Sequence, residues 1–169
     1  MAEVSKKICL VGSFGVGKTS LIARFVHQTF SGKYLTTLGV KVDTKVVELK
    51  TGDICKLVIW DIAGKEDYSS TDKQYLKGSA GCIYVVDGTR KATADAALNL
   101  KKQVTEELGD IPSICAVNKS DLEEEWELSD DIQRELKKEM NLLFKTSALS
   151  GTQVESAFTK IAELMLNHD

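Results

Sequence analysis

No run of about 18 apolar residues and no Lys/Arg-rich block occurs in this 169-residue chain of net charge −3. The first absence leaves no candidate membrane-spanning helix. The second leaves no electrostatic footprint for nucleic acid or an anionic membrane surface. No secretory signal is visible, and Ala2 follows Met1 where myristoylation needs glycine. The final residues, Leu166-Asn167-His168-Asp169, include no cysteine for prenylation, so membrane attachment is not expected. None of the four cysteines, Cys9, Cys55, Cys82 and Cys115, forms a Cys-x-x-Cys pair. All four fall in apolar runs that read as strands, where a thiol behaves as a small buried hydrophobe and suits a reducing cytosol. Internal repeats, low-complexity segments and domain linkers are likewise missing.

What is present suits one domain over residues 1–169, long enough to bury roughly 70% of its unfolded surface. Apolar, β-rich runs at residues 8–11, 40–49, 54–60, 82–86, 114–117 and 142–145 predict six strands. The second and third are separated by Lys50-Thr51-Gly52-Asp53, a hairpin signal. Helical patterning follows residue 19 and recurs over 93–108, with Leu98, Val104 and Leu108 inward and Gly109 as C-cap. A helix capped by Ser129 runs to Met140, and a last one presents Val154, Phe158, Ile161 and Met165. A short, loosely packed helix is expected around residues 72–77. Alternating strands and helices predict an α/β fold: a six-stranded, mostly parallel sheet with one antiparallel strand and helices on both faces.

One stretch carries chemistry beyond doubt of composition: Gly12-Ser13-Phe14-Gly15-Val16-Gly17-Lys18-Thr19 matches the P-loop pattern between a strand and a helix. Its glycines let backbone N–H groups and the N-terminus of the next helix, from Ser20 onward, surround a phosphate. Lys18 would reach the β- and γ-phosphates, and the Thr19 hydroxyl would ligate Mg²⁺. In a parallel sheet the ligand lies outside the carboxyl ends of the strands, where the other special loops also fall. Asp61 would complete the Mg²⁺ shell with Thr19, and Gly64 would bring a backbone amide to the γ-phosphate.

Asn118-Lys119-Ser120-Asp121 carries base identity. A carboxylate only accepts hydrogen bonds, so Asp121 suits the N1–H and exocyclic amine of guanine and would be left unpaired by adenine. The stem of Lys119 would cover the base, Phe30 would pack at its edge, and backbone amides near Ala148 would meet the guanine oxygen. The expected partners are therefore GTP or GDP and other proteins.

These residues resemble the Ras superfamily of small GTPases from about Lys6 to Leu166, and the Rab branch most, through Thr36-Thr37-Leu38-Gly39-Val40 and Trp60-Asp61-Ile62-Ala63-Gly64. The resemblance implies that Thr37 closes on Mg²⁺ and the γ-phosphate as the first-switch threonine, with Tyr34 over the phosphates. Asn118, Lys119 and Asp121 match the guanine motif, and Ser147 and Ala148 its last element, with Leu149 in place of the usual lysine. Residues 65 to about 73 match the second switch. A cytoplasmic molecular switch follows, with effectors, an exchange factor and an activating protein as partners. It would be a monomer, with a nucleotide-dependent dimer as an option.

Two departures fall on the catalytic parts. Lys65 stands where the family usually carries the glutamine that orients water, and Phe14 where Ras has a glycine that admits an arginine finger. A lysine cannot accept a hydrogen bond from water, and the phenyl ring would obstruct a finger worth about 10³-fold or more. Slow hydrolysis is expected. Alternatively, the Lys65 ammonium folds in to neutralise γ-phosphate charge, or it simply points to solvent. A non-hydrolysing, GTP-loaded scaffold is the main rival, and a P-loop kinase the lesser one, since no arginine-bearing lid is apparent. Trp60 reads as core or as effector contact. Val42, where Rab proteins place an aromatic, argues against Rab-type effector recognition. Residues 123–127 read as a solvated turn or a docking patch.

Overall fold

The computed structural model describes residues 3–27 and 40–168. Its strands are β1 (Glu3–Val11), β2 (Val40–Glu48), β3 (Ile54–Ile62), β4 (Gly81–Asp87), β5 (Ser113–Asn118) and β6 (Leu143–Lys145). Its α-helices are α1 (Lys18–His27), α2 (Ser70–Leu76), α3 (Ala92–Leu108), α4 (Asp130–Met140) and α5 (Val154–Leu166). The strands form one sheet in the order β2-β3-β1-β4-β5-β6, antiparallel only between β2 and β3. This is the α/β architecture that the alternation predicts. Strands β4 and β5 are buried along their whole length, as a sheet covered on both faces requires.

Two apolar layers sandwich the sheet. On one face Val154, Phe158, Ile161 and Met165 of α5 are buried, as their spacing predicts. The Phe158 ring stacks on Phe25 of α1 with centroids 4.1 Å apart. On the other face α3 buries Ala94, Ala97, Leu100 and Val104. Leu98 and Leu108, expected inward, are only partly buried. The inward face is set by the alanines, whose small side chains bring α3 close to β4 and turn Leu98 toward the rim. The four cysteines are free and buried, and burial alone pushes the Cys115 thiol up to about 12.

Several boundaries move. β3 continues past Trp60 through Asp61 and Ile62, because the ladder to β2 still pairs Lys41 with Asp61 and Val40 with Ile62. α2 starts at Ser70, two residues early, since Ser69 makes a capping box: its hydroxyl accepts from the Asp72 N–H while the Asp72 carboxylate accepts from the Ser69 N–H. Ser129 caps α4 by accepting from the Ile132 N–H, and Gly109, at φ 75°, ends α3. The 123–127 stretch is not a plain solvated turn. It closes a 3-10 turn (Ser120–Glu125), after which the Trp126 ring lies so near Gly88 that a Cβ there would sit 2.1 Å from it. The Glu127 carboxylate accepts from the Lys91 N–H at 2.9 Å, at the start of α3. Trp60 is half-buried: it pairs with Val42 across the β2–β3 ladder and lies under the Lys7 ammonium, 3.7 Å from the ring centroid.

Candidate nucleotide-binding site

Five loops converge at the carboxyl edge of the sheet, after β1, β3, β4, β5 and β6. The first wraps from Gly12 to Lys18, and its shape depends on the rest of the site. Gly17 has φ 105°, and a Cβ on it would come within 2.2 Å of the Asn118 side-chain nitrogen. Only glycine meets both conditions. Gly64 lies equally close, since a Cβ there would stand 2.5 Å from the Phe14 Cα, and the Lys65 N–H donates to the Gly12 carbonyl at 3.2 Å. The loop after β3 therefore rests directly on the P-loop.

Lys18 is 6% exposed, and its ammonium donates to the Gly12 and Ser13 carbonyls at 3.2 and 3.3 Å. Burial disfavours its charge and brings its pKa down to about 8, with Asp61 opposing the shift. A cation held in this way gains from any anion entering the loop. Thr19 donates its hydroxyl proton to Asp61 Oδ2 at 2.6 Å, and Asp61 is 1% exposed. A hydroxyl that donates still offers lone pairs, so a hydroxyl and a carboxylate remain a hard-oxygen pair suited to Mg²⁺. Phe14 is 58% exposed.

The base end is built from side chains of β5 and the turn after β6. Gly17, Ser20, Asn118, Lys119, Asp121, Leu122, Ala148 and Leu149 line a small open pocket. Asp121 is exposed there, and its Oδ1 accepts from the buried Ser147 hydroxyl at 2.7 Å. Asn118 is tied to protein on both sides: its amide nitrogen donates to the Val16 carbonyl at 3.0 Å, and its oxygen accepts from the Thr146 hydroxyl at 3.1 Å. It joins three loops. Lys119 adopts the left-handed region at φ 70°, a strained choice for a lysine. Its ammonium reaches Asp87 Oδ2 at 2.9 Å, which leaves its stem along the pocket wall.

Residues 65–69 make a third region. The Lys65 ammonium neither points to bare solvent nor turns into the P-loop; it pairs with Asp72 Oδ2 at 2.8 Å. Burial works against the Asp72 charge, yet the bonds from Lys65 and Ser69 outweigh it and hold the carboxyl below its ordinary pKa. Asn99 of α3 donates to the Glu66 carbonyl and to Asp67, and Gln103 donates to Asp67 and accepts from the Tyr68 N–H. Phe30, Tyr34 and Thr37 lie outside the described residues.

Sequence reasoning missed three polar residues that organise these loops. Asp87, which ends β4, is 1% exposed and accepts from Thr89, Arg90 and Lys119. Its position at the carboxyl end of a buried strand was the available signal. Arg90 also reaches the P-loop, and Arg24 of α1 donates to the Ala148 and Leu149 carbonyls at 2.8 and 2.6 Å. No motif marks either arginine.

A P-loop, a paired Thr19 and Asp61, and a carboxylate-bearing pocket stand together at one edge of a mostly parallel sheet, the arrangement of the small GTPase class. The Ras family model matches residues 7–167, and the chain belongs to that family, whose members are GTP-hydrolysing switches. It is similar to Ras-related protein Rab-32 of Homo sapiens, 32% identical over 170 residues, covering 96% of this chain and 76% of the relative. It is also similar to Ras-related protein Rab-25 of Bos taurus, 37% identical over 157 residues, covering 92% and 73%. Ras-related protein RABA2b of Arabidopsis thaliana is 34% identical over 157 residues, with the same coverage. Among the described residues, no helix is long and apolar enough to cross a membrane.

Proposed function

We propose that the chain is a single GTPase domain acting in the cytosol. It binds GTP and GDP with Mg²⁺, hydrolyses GTP slowly, and signals to protein effectors through the loop 30–38, residues 65 to about 73 and the strands between them. The observation that carries this reading is the 2.6 Å Thr19–Asp61 hydrogen bond, in a site whose base pocket holds Asp121. The P-loop amides and Lys18 would hold the β- and γ-phosphates. Asp121 would select guanine, with Ser147 fixing one carboxylate oxygen. Thr19, Asp61 and Thr37 would hold Mg²⁺, which supplies electrostatic stabilisation of phosphate charge when bound.

Water attacks the γ-phosphorus in line, and the Gly64 backbone with Thr37 orients it. Lys18 faces the charge that develops, and its buried setting strengthens the interaction. Lys65 adds nothing at the phosphate while Asp72 holds it, so the water-orienting group of the family has no counterpart at this position. That supports slow hydrolysis. It also favours a second reading, a GTP-loaded scaffold that does not turn over, because Phe14 stands where an incoming arginine would have to enter.

Single-turnover cleavage of GTP, with ATP in parallel, tests the proposal. Slow release of phosphate from GTP and no retention of ATP are expected. GTP that stays intact on the protein for many hours would favour the scaffold, and ATP competing on equal terms would overturn the guanine assignment. Lys65→Gln is expected to speed cleavage. A slower variant would show instead that the Lys65 ammonium leaves Asp72 and acts at the γ-phosphate.

A further inference from the structure

The loop after β4 sends one side chain into the P-loop from outside, and the Ras-family motifs above do not account for it. Arg90 is a fork with both prongs engaged. Its Nε donates to Asp87 Oδ2 at 3.0 Å, and its Nη2 donates to the Phe14 carbonyl oxygen at 2.9 Å. Asp87 is a buried anchor: it is 1% exposed and also accepts from the Thr89 N–H and hydroxyl and from the Lys119 ammonium. The Arg90 side chain, 46% exposed, is thereby braced at Nε, and its Nη2 meets the Phe14 carbonyl.

The carbonyl of Phe14 and the N–H of Gly15 belong to one planar trans peptide, so they point in opposite directions. With the carbonyl turned out toward Arg90, the Gly15 N–H faces away from it, toward the loop's interior. Gly15 holds φ 77°, and a Cβ there would approach Arg90 Nη2 to 3.3 Å, so the residue suits both the backbone turn and the arginine. The same loop end is where Lys18 bonds the Gly12 and Ser13 carbonyls, and Lys18 is the residue that serves the β- and γ-phosphates. Were the peptide to flip, a carbonyl oxygen would face phosphate oxygens where a donor is needed.

We infer that Arg90 is a positioning residue for phosphate binding: braced on Asp87, it fixes the Phe14–Gly15 peptide so that the Gly15 amide faces the β-phosphate end of the nucleotide. The inference rests on the guanine-nucleotide reading of the site. Through Asp87 the same carboxylate also holds Lys119, so the phosphate cradle and the base wall share one anchor.

The test uses the full chain loaded with Mg²⁺ and GDP, as wild type, Arg90→Ala and Arg90→Lys. Lysine keeps the charge but has a single nitrogen, so it cannot bond Asp87 and Phe14 in fork geometry. Both variants are expected to release a fluorescent GDP analogue roughly tenfold faster, the equivalent of one hydrogen bond from a charged group. In ³¹P NMR of the bound GDP, the β-phosphorus resonance should move and the α-phosphorus resonance should not. Unchanged release, wild-type behaviour of Arg90→Lys, or α- and β-resonances that move together would each overturn the inference. The lysine variant keeps the test readable if the alanine variant does not fold. A wild-type chain that fails to retain GDP at all would overturn the nucleotide reading itself.

Discussion

The P-loop and the segment 65–69 meet at a 3.2 Å hydrogen bond, yet they differ in how much of their support is buried. The P-loop is fixed from below by buried groups: Lys18, Asn118 and Asp87 are each at most 6% exposed, and a Cβ on Gly17 would collide with Asn118. The 65–69 segment is held by polar contacts, from Lys65 to the buried Asp72 and from Asn99 and Gln103 of α3, with Tyr68 as its one side chain in the core. The exposed ones among these, from Asn99 and Gln103 to Asp67, exchange with water at little cost. A switch needs a seat that does not change when its ligand does, beside a segment whose contacts can be traded for ligand contacts. The two regions divide that work.

Predictions follow the same division, from the largest effect downward. Lys18→Met is expected to weaken GDP binding by roughly 10²-fold or more, since a charge-assisted contact to phosphate is lost. In the empty protein the same change should raise stability, because a buried cation is removed. Equilibrium binding and urea unfolding of the nucleotide-free form check the two signs, and a loss in both would make Lys18 a structural support instead.

The pH dependence is next. The folded-state pKa of Lys18, about 8, lies below its unfolded value of 10.5, so between them the unfolded state holds more protons. Stability from this group is therefore lowest below pH 8 and rises as pH increases toward 10.5. The nucleotide-free protein should gain about 1 kcal/mol between pH 7 and 9 relative to Lys18→Met. Calorimetry near pH 8 should also detect proton uptake on GDP binding, because phosphate restores the charge.

Smaller effects belong to the surface-held segment. Asp72→Ala removes the α2 capping box and the Lys65 partner together and should cost about 1 kcal/mol. Because the Asp72 pKa is lowered in the folded state, that contribution is present above the ordinary carboxylate pKa and disappears as pH falls through the folded value. The penalty of the substitution should vanish in acid. Asn99→Ala should change global stability by no more than about 0.5 kcal/mol. Amide hydrogen exchange at Glu66, Asp67 and Tyr68 should nevertheless quicken, leaving P-loop amides unaffected. Equal quickening in both regions would erase the distinction between them.

Legibility in the sequence follows whether a signal is local. The P-loop pattern, the hairpin, the Ser129 cap and the α5 stripe each occupy one short stretch, and each is found where its residues predict. On α3 the spacing finds Val104, which is buried, but Leu98 and Leu108 are only partly so, because the helix packs on β4 through Ala94, Ala97 and Leu100. Trp126 reads as part of a solvated turn or a docking patch because glutamates surround it in the chain, and nothing near it announces Gly88, 38 positions earlier. Lys65 was weighed against phosphate and solvent only, since the carboxylate it meets had been read as part of a loose helix.

What the sequence determined by itself is the family and the edge of the sheet at which its motifs gather, where we propose the nucleotide binds. Glycine spacing, a lysine and a threonine on one loop, and a carboxylate after Asn-Lys, are chemical demands met within a few residues. The tertiary structure alone decided how those loops are braced: Asp87 holding Arg90 and Lys119, Arg24 holding the turn after β6, Asp72 holding Lys65. Lys119 with Asp87 and Arg24 with Ala148 are brought within 3 Å only by the packed sheet, while Arg90 with Asp87 and Lys65 with Asp72 are near in the chain and take their geometry from the loops the sheet holds. Opposite charges and free carbonyls are common along any chain, so proximity, which the fold supplies, is what selects among them.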